Sequence, residues 1–444
     1  MLWFSSMRHL KNLGYPTFSA VMAVFFLSGC AGAEESPRTG PATVVWISFD
    51  GIRPDYLDRA ETPHFDHLRR YGAHSLEAEP VFPSLTFPTH VSQATGVLPA
   101  VHGITGNSFY DSRSRRILRF PGDAALLEAE PIWLTSERQG VRTAVVDWTL
   151  SHNQQGEIRS SYHGEAYARG LTDEERIGRL LNIWQNDRGD LPLRLLMSYA
   201  ESPDKEGHAH GPDSVEVERA METSDALLGN VMERVKTLWR ERAGPDAGPL
   251  YLVITSDHGM SETHTLVHPG HLSGLEGAEG VITVTSANIA HFHFDQVPDP
   301  DQRREWMESA LESAAGHDFV RAFRREELPE RWDFAHPHRT GDLVMVLDTG
   351  YTFSRRPREK LALSAQEAGG PLGMHGYDPA ENREMLSPLF IYRYPERIGG
   401  IDLGPVHHLQ LHSVVSRLLG IEPAPAAAPG FPLPWLENTA DSLR

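Results

Sequence analysis

The 444-residue chain has a single cysteine, Cys30, which excludes an intrachain disulfide, so the fold rests on packing and on any metals it binds. Positive charge is also scarce. The chain has 41 Lys and Arg against 60 Asp and Glu, leaving a net charge of −19, which argues against binding along a nucleic-acid backbone. A small anionic substrate stays possible, because bound metal cations reverse the field locally. Beyond Cys30 no apolar run is long enough to cross a bilayer, and no internal repeat is visible. A hydrophobic content of 40% is enough for one large α/β domain or two ordinary ones.

The N-terminal segment reads as a targeting signal. Arg8, His9 and Lys11 precede the short apolar run Phe18–Leu27, which is too short for a stable span. Leu27-Ser28-Gly29-Cys30 resembles a bacterial lipobox, which implies cleavage before Cys30 and its acylation. Ala31 after it resembles an outer-membrane destination, with the protein held at the periplasmic face. Residues 1–29 are therefore expected to be a signal peptide and 30–42 a lipidated tether.

Thr43–Phe49, Leu193–Ala200 and Pro249–Thr255 are nearly continuous apolar runs, as strands buried on both faces should be. Helical patterns separate them. Thr62-Pro63 opens a helix that stops at Gly72. Thr172–Glu175 is a capping box ahead of Ile177, Leu180, Leu181 and Trp184, and Val217 to Trp239 marks a long amphipathic stripe. This alternation predicts an α/β fold with a mostly parallel central sheet and helices on both faces. From residue 281 the pattern changes, and Val281–Phe294 reads as one strand. Residues 281–338 are expected to form a small inserted α+β subdomain between core segments 43–280 and 339–425, with Asp342–Leu347 resuming the core. Residues 426–444 read as a tail.

Asp50, Asp204 and Asp257 each follow the C-terminal end of a predicted buried strand, the edge where open α/β sheets bind ligands. His208 lies four residues after Asp204, His258 adjoins Asp257, and His375 sits in a glycine-rich loop. Carboxylate and imidazole suit zinc, and three ligands per ion leave a position open for chemistry. The natural partition puts Asp50, Asp257 and His258 on one ion and Asp204, His208 and His375 on the other. Thr86 ends a proline-pinned loop, Phe82–His90, and starts a helix that Gly96 should stop. Its bland reading is a helix cap.

Five ordered motifs resemble those of the nucleotide pyrophosphatase/phosphodiesterase family of the alkaline phosphatase superfamily. They are Thr86-Phe87-Pro88-Thr89-His90, His102-Gly103-Ile104 with Asn107, Pro203-Asp204 with Gly207-His208, Ser256-Asp257-His258-Gly259-Met260, and His375-Gly376-Tyr377-Asp378. The resemblance implies an alkaline-phosphatase-like fold and two zinc ions about 4 Å apart. It also implies Thr86 as a metal-bound nucleophile forming a phospho-threonine intermediate. Asn107 is then the amide donor to phosphate, helped by the backbone amide after Thr86. Phe87, Tyr167 and Tyr199 fall where the family packs aromatics around a nucleotide base. Thr89, where many relatives carry asparagine, and Met374 before His375 depart from common forms at positions that are not ligands.

Three aspartates and a threonine alkoxide balance two zinc ions, so a phosphodiester monoanion is favoured over a monoester dianion. The only arginine beside the matched residues, Arg53 of Asp50-Gly51-Ile52-Arg53, reads as structural. A phosphomonoesterase or phosphonate hydrolase of the same fold is the alternative enzyme, and a metal-bound binding protein is the alternative from another class. Sulfatases are excluded by the absence of their Cys/Ser-x-Pro-x-Arg context. His264, His268 and His271 match no ligand position and read as a solvated loop.

Overall fold

The computed structural model describes residues 40–436 apart from Pro245 and Arg358. The expected signal peptide, Cys30 and most of the tether lie outside the described residues. The main sheet begins with β1 (Thr43–Phe49), β2 (Ala73–Glu79), β3 (Arg142–Val146), β4 (Tyr162–His163), β5 (Leu193–Ala200) and β6 (Leu250–Thr255). Four further strands, β7 (Ile282–Ser286), β8 (Ile289–His293), β9 (Val320–Arg324) and β10 (Leu343–Leu347), make a separate antiparallel sheet in the order β7-β8-β10-β9. The chain then returns to the main sheet through β11 (Ser387–Tyr394) and β12 (Ile401–Asp402), giving the order β12-β2-β11-β6-β1-β5-β3-β4. Val406–His407 also pairs with β2. Every pairing in this sheet is parallel except those of β11 with β2 and β6.

β1 is central because both of its faces are apolar. Val45, Ile47 and Phe49 enter one core cluster, Val44 and Trp46 the other. The first face is covered by α1 (Pro63–Tyr71), α4 (Asp173–Asn186) and α6 (Val215–Arg242), through Phe65, Leu68, Ile177, Trp184, Leu228 and Trp239. The second is covered by α2 (Thr86–Thr95), α3 (Ile132–Arg138) and α8 (Leu411–Leu419), through Ala94, Trp133, Val414 and Leu418. Each large apolar side chain fully buried in this way contributes about 1.5–3 kcal/mol. The capping box at Thr172 and Glu175 forms as expected and starts α4.

Three boundaries differ from the sequence reading. Leu343–Leu347 does not resume the core: β10 pairs with β8 and β9, and the main sheet is rejoined only at Ser387. A five-residue strand buried along its whole length looks the same in either sheet, and only its partners decide. The stretch Val281–Phe294 is a hairpin rather than one strand, turning at Ala287 with φ 51°. Nor are residues 426–436 a free tail. Phe431, Leu433 and Trp435 are buried in the second core cluster beside α8.

Candidate active site

The carboxyl ends of β1, β5 and β6 lie side by side, and each delivers one aspartate. Asp50 follows β1 directly. Asp257 comes two residues after β6, and Asp204 opens α5 (Asp204–His210). Gly51, at φ 72°, lets two of these turns touch, since a Cβ there would lie 2.8 Å from the Asp204 Cβ. The Asp204 amide donates to the Asp50 carbonyl at 3.1 Å, and the Gly51 amide donates to Asp257 Oδ1 at 3.1 Å. His375 comes in from a distant loop that Ser84 pins in place. The Ser84 carbonyl accepts from His375 Nδ1 at 3.0 Å, and its hydroxyl accepts from the Gly376 amide at 3.1 Å.

All three histidines present the same nitrogen. His208 Nδ1 lies 2.8 Å from the Gly373 carbonyl, His258 Nδ1 2.9 Å from that of Gly259, and His375 Nδ1 3.0 Å from that of Ser84. A carbonyl only accepts, so each Nδ1 carries the proton and each Nε2 offers a lone pair, the tautomer that metal-binding histidines adopt. Those lone pairs face one another and the carboxylates. His208 Nε2 is 3.3 Å from His375 Nε2 and 3.3 Å from Asp204 Oδ2, and His375 Nε2 is 3.6 Å from Asp204 Oδ1. His258 Nε2 is 3.4 Å from Asp50 Oδ1, 3.1 Å from Asp257 Oδ2 and 3.4 Å from Thr86 Oγ1. Ligand atoms held tetrahedrally by zinc at about 2.0–2.1 Å stand roughly 3.3 Å apart, so both groups have the spacing of a zinc shell. Asp204, with ligand atoms within 4.8 Å of Asp50 and His258 as well as of His208 and His375, lies between the two groups.

Asp50 Oδ1, Asp204 Oδ1 and Asp257 Oδ2 are buried with no hydrogen-bond partner among the described residues, an arrangement that costs free energy unless a cation completes it. Burial, with Asp257 and Asp204 close by, pushes the Asp50 carboxyl well above its ordinary range. Burial also raises Asp204, although His208 and His258 oppose it. Burial alone would raise Asp257 too, but His258 and His90 hold it below the usual carboxylate range.

Thr86 is the first residue of α2, and Leu85, which makes no side-chain cap, precedes it. The cap reading of Thr86 is thus set aside by the geometry, which leaves its hydroxyl beside His258. Gly96 ends the helix at φ 73°, as expected. His90, one turn into α2 and fully buried, places its Nδ1 2.8 Å from the Thr86 carbonyl and its Nε2 2.8 Å from the Ser48 hydroxyl, tying α2 to β1. The backbone amide after Thr86 is not free for phosphate. Phe87 N–H donates to Asn107 Oδ1 at 2.9 Å, and this turns the Asn107 Nδ2 outward from that bond as a donor.

A cavity of about 480 Å³ opens beside Thr86, and Asn107, Phe87, Tyr167 and Tyr199 all line it. Its lining also includes Phe120, Asp147 and Glu201, which the sequence reading did not single out, and Arg176 stands behind the last two. Phe120, 60% exposed, meets Phe87 edge to face at 5.8 Å. Arg176, fully buried, pairs with Asp147 and, at 3.1 Å, with Glu201, and its guanidinium lies 4.5 Å from the Tyr167 ring centre. The Tyr167 hydroxyl donates to Glu201. Asp147 carried the same signal as the other aspartates, a carboxylate at a strand end, but the structure gives it to an arginine. Tyr199, expected only as base packing, donates its hydroxyl to Asp50 Oδ2.

Arg53 does not line the cavity and pairs with Asp213 at 2.6 Å and with Asp55. The separate histidines are not a solvated loop throughout. His264 packs on Tyr351, whereas His268 is buried and caps a short helix by accepting the His271 amide at 3.3 Å.

Residues 44–378 match the type I phosphodiesterase / nucleotide pyrophosphatase family. Human bis(5'-adenosyl)-triphosphatase ENPP4 is 27% identical over 406 residues, which cover 88% of this chain and 81% of that protein. Human ectonucleotide pyrophosphatase/phosphodiesterase family member 5 is 27% identical over 405 residues, covering 86% and 75%. The structure of murine ectonucleotide pyrophosphatase/phosphodiesterase 5, in an inactive threonine-to-alanine form in complex with AMP, superposes with a TM-score of 0.73 at 26% identity, covering 90% of this chain and 99% of that one. The chain therefore belongs to the type I phosphodiesterase / nucleotide pyrophosphatase family, as a hydrolase of that metal-dependent type.

Proposed function

We propose that the protein cleaves phosphodiester and pyrophosphate bonds of nucleotides with two zinc ions in the cradle, and that Thr86 carries the phosphoryl group between two displacements. The observation that supports this most is the pair of donor groups at tetrahedral spacing, with the Thr86 hydroxyl 3.4 Å from His258 Nε2. Asp50, Asp257 and His258 would hold one ion beside Thr86, and Asp204, His208 and His375 the other. Bound there, zinc supplies Lewis-acid stabilisation of charge on the attacking and leaving oxygens.

Thr86 Oγ attacks phosphorus in line, and as the O–P bond forms its proton passes through water to the leaving oxygen. The bond to the leaving oxygen then breaks, and the phosphoryl group stays on Thr86 as a phosphodiester. Water attacks the same phosphorus in the second displacement and returns Thr86 to its hydroxyl form. Asn107 Nδ2 donates to a non-bridging oxygen, a role supported by the Phe87 amide, which occupies its Oδ1 and leaves the Nδ2 as the donor. Phe87 and Tyr167 offer flat faces to a base, in keeping with the AMP bound to the murine relative. With zinc loaded, bis(p-nitrophenyl) phosphate should turn over faster than p-nitrophenyl phosphate, and faster monoester cleavage would reverse the reading.

The enzyme is also proposed to sit at the outer membrane, periplasmic side, through acylated Cys30. Fractionation of Cys30→Ser should then find the protein released from membranes. A variant that stays bound would remove the anchor.

A further inference from the structure

We propose that Tyr199 is a positioning residue for Asp50: its hydroxyl holds one carboxylate oxygen so that only the other is offered to a metal. This rests on the two-zinc reading and adds a residue that the ligand motifs do not contain.

The register places the tyrosine for this task. β1 and β5 run parallel with Ser48 opposite Tyr199 and Phe49 opposite Ala200. Directly opposed side chains share a face, and residues two apart on one strand share it too, so Ser48, Asp50 and Tyr199 all project on one side of the sheet. The phenol accordingly reaches Asp50 Oδ2. Asp50 Oδ1 is left without a partner, buried, and 3.4 Å from His258 Nε2. Asp257 repeats the pattern: its Oδ1 accepts the Gly51 amide at 3.1 Å, and its unpartnered Oδ2 stands 3.1 Å from His258 Nε2.

Two neighbouring carboxylates each have one oxygen held and one offered. For Asp257 the backbone does the holding, and for Asp50 the side chain of Tyr199 does it. A carboxylate left to rotate presents either oxygen, or both, to a cation, so the held oxygen sets orientation and one-oxygen ligation. Tyr199 is itself only 8% exposed, and its ring packs edge to face on His90 at 5.3 Å, which fixes the donor. His90 in turn contacts the Thr86 carbonyl and the Ser48 hydroxyl, so donor, ligand and the start of α2 form one rigid unit.

The alternative role for Tyr199 is packing against the substrate base, since its ring lines the cavity. Tyr199→Phe separates the two, because it keeps the ring and removes only the hydroxyl. Zinc affinity of the full chain, measured by competition with a chromophoric chelator, should fall about 10–100-fold in Tyr199→Phe, the usual loss when an outer-shell partner is removed. Activity at limiting zinc should fall with it and return when zinc is raised. Unchanged zinc affinity in Tyr199→Phe would overturn the assignment, all the more so if Tyr199→Leu raised KM without altering metal affinity. A wild-type chain that takes up no zinc would defeat the metal reading itself, a result distinct from equal affinity in wild type and variant.

Discussion

The two sides of the cavity handle charge in opposite ways. On the cradle side three carboxylates converge, and each leaves one buried oxygen without a partner among the described residues. On the wall side Asp147 is also buried at a strand end, but Arg176 and His152 pair with it, and Arg176 goes on to pair with Glu201. The cradle therefore stays short of positive charge until a cation enters. The wall neutralises its own charges and gives the cavity aromatic faces instead. Unsatisfied carboxylates beside satisfied ones, at the same sheet edge, separate a metal site from a structural one better than any count of aspartates.

Substitutions on each side should break this contrast differently. The largest effect is expected from Thr86→Ala, which should lower turnover about 10⁴-fold or more, the scale seen when a covalent nucleophile is lost. Zinc content should stay near that of the wild type. Retained turnover would remove Thr86 as nucleophile.

Arg176→Leu comes next and acts on stability. It leaves Asp147 without its buried guanidinium and should cost about 3–5 kcal/mol, read as a lower urea midpoint with zinc uptake preserved. Loss of zinc binding in the folded variant would mean that the two sides are not independent. The smallest effect is expected from Phe87→Ala. Stacking of a base on an aromatic side chain contributes about 1–3 kcal/mol, so KM for a nucleotide ester should rise roughly tenfold while KM for bis(p-nitrophenyl) phosphate changes less. Equal changes for both would show that the ring serves general packing.

Much of the cradle was legible in the chain because its signals are local. A strand buried on both faces is a continuous apolar run, and the residue just past it stands at the ligand edge, so β1 pointed to Asp50 and β6 to Asp257 and His258. Asp204 and His208 needed only the spacing of one helical turn. The wall had no such local signal. Arg176 sits in an ordinary amphipathic helix, and nothing near it in the sequence tells that it meets Asp147, 29 residues away, and Glu201, 25 away. The small sheet was misdivided for the same reason, because β10 carries no mark of which partner it pairs with.

The sequence by itself determined the class of fold, through periodicity, and pointed through strand ends, short spacings and a family resemblance to the aspartates, histidines and threonine that the structure gathers at one sheet edge. Only the tertiary structure decided which oxygen of Asp50 is held by Tyr199, that the amide after Thr86 is spent on Asn107, and that Asp147 belongs to an arginine. Those are contacts between distant segments, and hydrogen-bond direction and partner choice are set by where the chain packs rather than by any residue's neighbours in sequence.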